Sequence, residues 1–132
     1  HAGYKLKELI KIHLDKKKIK YTDLGPHNDD RVDYPDYAHK VAKKVKTDKN
    51  RVGILVCGSG MGMNITANRH KHIRAAQCFN LKSTKLSRLH NDANIITLGS
   101  RLLSKNTALK CINVFLSTKF EGGRHIKRIK KI

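Results

Sequence analysis

Residues Val52-Gly53-Ile54-Leu55-Val56-Cys57-Gly58-Ser59-Gly60-Met61-Gly62-Met63 constrain this chain more than any other stretch. An apolar, strand-like run leads into a cysteine, three alternating glycines and the start of a helical pattern. Glycine lets a backbone turn tightly and approach a ligand closely, so successive N–H groups can converge on one pocket. A helix N-terminus just beyond adds positive dipole, which favours an anion or a developing oxyanion. Cys57 falls at the carboxyl end of the strand, where open α/β sheets bind their ligands. The stretch reads either as a thiol beside an oxyanion-stabilising loop or as a glycine-rich βα turn around a buried small residue.

The same loop excludes other chemistry. It lacks the Lys-Ser/Thr pair of a phosphate-binding P-loop, so nucleotide triphosphate hydrolysis has no support. Its glycines follow G-x-G-x-G, one residue short of the dinucleotide spacing. About twenty residues on, where a ribose-binding carboxylate would belong, stand Cys78 and Asn80. No nicotinamide cofactor is expected, and none of any other kind.

Helical and strand-like patterns alternate along all 132 residues, with no linker, repeat or low-complexity segment. That alternation predicts one domain over 1–132, a doubly wound α/β/α sandwich of the flavodoxin or Rossmann-like class with a parallel sheet. Residues 3–18 read as a helix, with Leu6, Leu9, Ile10 and Leu14 on one face. A short strand is expected at 20–24, a polar loop from Asp29 to Tyr34, and a helix from Pro35 to about Val45. A turn at Thr47–Asn50 precedes the strand at 52–56. Then follow a helix at 62–71, a strand at 73–79, a helix at 81–89, a strand at 94–98 and a helix at 105–118. Gly122-Gly123 breaks the chain before a basic terminal helix. His1-Ala2-Gly3 runs straight into the first helix with no strand ahead of it, so the usual central first strand is expected to be missing from this chain.

The formal net charge of +19 would attract nucleic acid or an anionic membrane. Yet 21 of the 29 basic residues are lysines scattered at helical surface positions, and aromatics are only 5% of the chain. No aromatics interleave with the basic residues as base stacking requires. Neither nucleic acid nor membrane is expected as the partner, although a basic nucleic-acid-binding protein stays the alternative of another class. No apolar run reaches the 18 residues of a membrane span. Three widely spaced cysteines, Cys57, Cys78 and Cys111, suit free thiols in a reducing compartment, hence the cytoplasm. Cys78 and Cys111 lie in apolar patterns and read as buried and inert. His13, His27, His39, His70 and His72 read as surface residues. His70, His72 and His125 lack ligand spacing to carboxylates, so no metal is expected.

Several further motifs occur in a fixed order: His1-Ala2-Gly3, Val32-Asp33-Tyr34-Pro35-Asp36-Tyr37, the Cys57 loop, His90-Asn91-Asp92-Ala93-Asn94, Gly99-Ser100-Arg101 and Phe120-Glu121-Gly122-Gly123-Arg124-His125. With them the chain resembles the ribose-5-phosphate isomerase B family, which includes the galactose-6-phosphate isomerase subunits, from His1 to Ile132. The resemblance implies a flavodoxin-like fold with a five-stranded parallel sheet, and a homodimer or homotetramer with active sites shared between subunits. The family begins with a strand ending in an Asp before the residue matching His1, and that Asp is absent here.

The implied activity is metal-free interconversion of ribose 5-phosphate and ribulose 5-phosphate through an enediolate. A six-carbon galactose or allose 6-phosphate is the alternative substrate. By resemblance, Cys57 is the base moving a proton between C1 and C2, and cations and helix termini favour the reactive thiolate. A Glu that replaces this Cys in one branch corresponds to Met63. Gly58, Ser59, Gly60, Met61 and Gly62 match the loop whose amides stabilise the enediolate. His90 matches the residue that opens the furanose ring, and Asn91 a sugar-hydroxyl contact. His1, Arg101, Arg124 and Arg128 match ligand-binding positions, the arginines suited to forked phosphate contacts, and Tyr34 lines the site. Attraction of anionic sugar phosphates is then the economical use of the positive charge.

Overall fold

The computed structural model describes residues 1–46 and 50–132. Residues 47–49 of the expected turn lie outside them. The elements are α1 (Tyr4–Lys16), α2 (Tyr34–Lys46), β1 (Gly53–Cys57), α3 (Met61–Ala67), β2 (Ala75–Gln77), α4 (Leu81–Asn91), β3 (Ile95–Gly99), α5 (Lys105–Ser117) and α6 (Arg124–Ile129). Local chemistry sets several boundaries. Asn80 caps α4 by accepting from the Ser83 amide, with the Ser83 side chain reciprocating, and Ser104 caps α5 through the Thr107 amide. Pro35 falls in the first turn of α2, where its missing N–H costs nothing.

The strands form a parallel sheet in the order β1-β3-β2. All five residues of β3 are buried, as expected of a central parallel strand covered on both faces. Their side chains alternate. Ile96 and Leu98 point to a cluster with Leu6, Ile10 and Leu14 of α1 and Ile112 and Phe115 of α5. Ile95 points to the opposite cluster with Ala38 and Ala42 of α2 and Met63 and Ala67 of α3. The result is the expected α/β/α layering. β1 pairs with β3 from Gly53 opposite Ile95 to Cys57 opposite Gly99, so Cys57 and Gly99 lie side by side at the carboxyl end.

Three strands are formed among the described residues; the sequence reading placed four in this chain, and the resemblance implied a sheet of five. Residues 20–24 are not a strand. A strand needs a ladder neighbour, and here a cavity of about 1150 Å³ separates them from β1. The segment is held through a side chain instead. Asp23 receives Lys7 Nζ at 2.8 Å and Lys11 Nζ at 2.9 Å, and accepts the Gly25 amide at 2.9 Å. Burial opposes ionisation of Asp23, but the hydrogen bonds from Lys7, Lys11 and Gly25 overcome it and hold the carboxyl well below its usual range.

A carboxylate depressed in the folded state stabilises above its unfolded pKa, about 3.9, and loses that contribution as pH falls toward the folded value. Asp23→Asn should therefore lower unfolding free energy by about 1–3 kcal/mol at neutral pH. Urea melts across a pH series should show the gap between the two proteins closing below about pH 4.

Candidate active site

β1 delivers Cys57 to the carboxyl edge of the sheet, half-buried, and the chain then turns into α3. The Gly60 amide donates to Cys57 Sγ at 3.1 Å, which sets an N–H donor against the sulfur. Gly60 itself is left-handed at φ 82° and forms the N-cap of α3. The loop rests on the chain leaving β3. The Ser100 amide donates to Cys57 O at 2.8 Å and the Arg101 amide to Gly58 O at 3.0 Å. The approach at Gly99 is so close that a Cβ there would lie 2.5 Å from Ser59 O. From the other side, Gln77 Nε2 donates to Ser59 O at 2.8 Å.

Around this loop the structure gathers one half of the expected site. His1, Tyr34, Cys57, Gly58, Ser59 and Arg101 all line the large cavity, as does Gly62. The Tyr34 ring occupies the space a side chain at residue 62 would need, and the Arg101 guanidinium lies against Gly58. Ser100 Oγ pins the amino-terminal segment by donating to Ala2 O at 2.8 Å. Two amides expected to face a ligand are engaged within the loop: that of Gly60 by the sulfur, and that of Met61 by Ser59 Oγ at 3.3 Å. Neither Gly60 nor Met61 lines the cavity.

The other half lies elsewhere. His90 and Asn91 end α4, and Arg124 and Arg128 project from α6, both exposed; none of the four lines that cavity. The His90 ring stacks on that of His125, with centroids 4.4 Å apart and planes inclined by 12°. Glu121 Oε2 lies 3.8 Å from His90 Nε2. The Asn91 carbonyl accepts from Arg74 Nε at 2.9 Å.

The remaining histidines and cysteines divide. His39 Nδ1 and His70 Nε2 are 2.7 Å apart between α2 and the turn after α3, and His13 Nε2 meets Asn113 Oδ1 at 2.7 Å. Those three are half-buried and partnered, in contrast to the surface positions expected of them. Cys78 and Cys111 are buried as expected, and burial pushes the Cys78 thiol up. Sequence spacing also hid a cluster: His90, Glu121 and His125 bring their ligand-type atoms within 4.8 Å of one another. Gln77, which braces the site, carries no signal in spacing or composition. Ser100, Glu121 and His125 sat inside recognised motifs without an assigned role. No helix among the described residues is long and apolar enough to cross a membrane.

An α/β sheet with a thiol and a glycine loop at its carboxyl edge defines a class of small-molecule enzymes, and comparison with known proteins narrows it. The chain matches the Ribose/Galactose Isomerase family over residues 1–132. It is 39% identical to ribose-5-phosphate isomerase B of Escherichia coli K12 over 132 residues, 100% of this chain and 89% of that one. The solved ribose-5-phosphate isomerase B of Clostridium thermocellum superposes with a TM-score of 0.97 at 44% identity, covering 99% of this chain and 88% of the other. That of Mycoplasma genitalium, with bound ribulose-5-phosphate, gives a TM-score of 0.92 at 42% identity, covering 96% and 85%. This chain belongs to the ribose/galactose isomerase family.

Gly99→Ala would drive a methyl group into the Ser59 carbonyl and displace the Cys57 loop. A misplacement of about 1 Å at a reacting group can cost about a hundredfold in rate. Isomerase activity should fall by roughly that factor while circular dichroism still reports a folded α/β protein; activity within a few-fold of the parent contradicts the packing argument.

Proposed function

We propose that this protein interconverts ribose 5-phosphate and ribulose 5-phosphate by acid–base chemistry through an enediolate, without metal or cofactor, as one domain spanning 1–132. The observation that carries the reading is Cys57 at the strand end, with an amide on its sulfur and Arg101 across the loop, in a chain that matches pentose-phosphate isomerases from end to end. The bound ribulose-5-phosphate of the Mycoplasma genitalium relative favours the five-carbon substrate over a six-carbon one.

In this reading His90 opens the furanose ring by moving a proton between the anomeric hydroxyl and the ring oxygen. Cys57 as thiolate removes the proton from C2 of the open aldose and returns it to C1, while the hydroxyl proton passes from O2 to O1, leaving the ketose. Between the two transfers the substrate carries an enediolate. The backbone and dipoles of Gly58 to Gly62 stabilise that charge, with Ser59 and Gly62 on the cavity wall and Gly60 and Met61 holding the loop in shape. Asn91 holds a sugar hydroxyl, Tyr34 covers the sugar, and His1, Arg101, Arg124 and Arg128 hold the phosphate end.

A single subunit keeps His90, Asn91, Arg124 and Arg128 apart from the Cys57 cavity. Their separation supports a homodimer or homotetramer in which a second subunit completes each site. The exposed apolar side chains of Met61, Ile65, Phe79 and Leu81 flank the loop side of the sheet and suit such a contact. The five-stranded sheet belongs to the same proposal. The cavity beside the edge of β1 is lined by Ile10, Leu14, Ile19 and Val41, a lining that suits an apolar strand pairing β1 with residues 20–24. Free thiols at all three cysteines suit the cytoplasm.

Cys57→Ala tests the assignment. Removing a general base typically costs about 10²–10⁴ in rate, so kcat should fall by that much while calorimetry shows substrate binding nearly unchanged. A kcat within a few-fold of the parent overturns Cys57 as the base.

A further inference from the structure

Resting on that reading of His90, we propose that Glu121 and His125 are positioning residues for it: the buried His125 ring fixes the plane of the His90 imidazole, and the Glu121 carboxylate faces its Nε2 edge. Three observations carry this.

The first is the stack itself. Near-parallel rings 4.4 Å apart restrict His90 to one plane, on the last turn of α4, where a side chain half open to solvent would otherwise sample several rotamers. The plate beneath it is buried and tied back to its own loop. His125 is 4% exposed. Its amide donates to Gly122 O at 3.0 Å.

The second is the strap that brings this plate to α4. The Glu121 amide donates to Leu89 O at 3.0 Å and Arg88 Nε donates to Thr118 O at 3.2 Å. The loop from 118 to 123 is thereby sewn to the turn that carries His90, and Glu121 and His125 arrive on it together.

The third is the charge pattern. Two imidazoles in contact cannot both be protonated without repulsion. Burial first, and then His90, hold His125 below the ordinary histidine range. His90 is the ring of the pair that stands nearer to solvent and to Glu121. The groups facing the pair are Glu121 in the loop and Arg124 and Arg128 on α6; on α4 itself Arg88 and Asp92 are paired with each other at 3.1 Å. Among these groups Glu121 is the carboxylate that reaches the His90 edge, at 3.8 Å from Nε2. His125 Nε2 is buried without a hydrogen-bond partner among the described residues. The ring therefore serves through its face, and a phenyl ring of similar shape can replace it.

The test compares two reactions of the same enzyme. Isomerisation of ribose 5-phosphate needs ring opening. Wash-in of deuterium from D₂O into ribulose 5-phosphate needs the carbon base but no ring chemistry, because the phosphorylated O5 leaves that ketose open-chain. His125→Ala should lose about tenfold in kcat/KM for the aldose and much less in wash-in, and His125→Phe should restore most of the loss. Glu121→Gln should lower kcat/KM for the aldose by about threefold and leave wash-in unchanged. Equal losses in both reactions, no rescue by phenylalanine, or aldose turnover untouched by Glu121→Gln would overturn the positioning roles. If His90→Asn leaves aldose turnover intact, the reading of His90 itself has failed, and this proposal falls with it.

Discussion

The structure depends on one close backbone approach, where the loop leaving β1 lies on the chain leaving β3. Gly99 has no side chain to keep Ser59 away, and the carbonyls of Cys57 and Gly58 accept the amides of Ser100 and Arg101. These bonds continue the parallel ladder past the ends of the strands and fix the turn that carries Cys57. They explain how the thiol and the arginine that lies against its loop meet from segments more than forty residues apart. They also explain why Gly60 takes a left-handed conformation that directs its amide to the sulfur.

From this fixed point the molecule divides into a rigid half-site and a separate one. Cys57, Arg101, Tyr34 and His1 share the large cavity, whereas His90 and the α6 arginines occupy the far end of α4. A phosphate-bearing sugar handled by both groups needs them within one ligand's length. In the proposed assembly, two copies of the chain meeting across a twofold axis would satisfy that need twice, each supplying what the other lacks. The proposal also gives part of the high positive charge a local use, at Arg101, Arg124 and Arg128.

Much of this was legible before any coordinates. The apolar run ending at Cys57 and the period of α1 are local signals, and local signals survive folding when burial agrees with them. The segment 20–24 was misread because strand propensity says nothing about whether a neighbour is present to pair with. His39 and His70 were assigned to the surface because a contact between residues 31 apart leaves no trace in spacing. The same holds for His90 and His125, whose stack depends on a loop strapped back to α4 by backbone hydrogen bonds. Gln77 was invisible for a simpler reason: a single side chain bracing a carbonyl has no pattern to find, while Ser100 stood in a recognised motif without an assigned role.

The central claim is that each active site joins Cys57 of one subunit to His90 of another, and hybrid oligomers test it most directly. Cys57→Ala and His90→Asn proteins, each inactive alone, can be mixed under conditions that allow subunit exchange, with hybrid formation followed by native mass spectrometry. If the sites are shared, every hybrid dimer holds one site with both residues intact, and random exchange should recover about a quarter of the parent activity. If hybrids form and activity stays at the level of the separate variants, Cys57 and His90 do not act across the interface and the account is wrong.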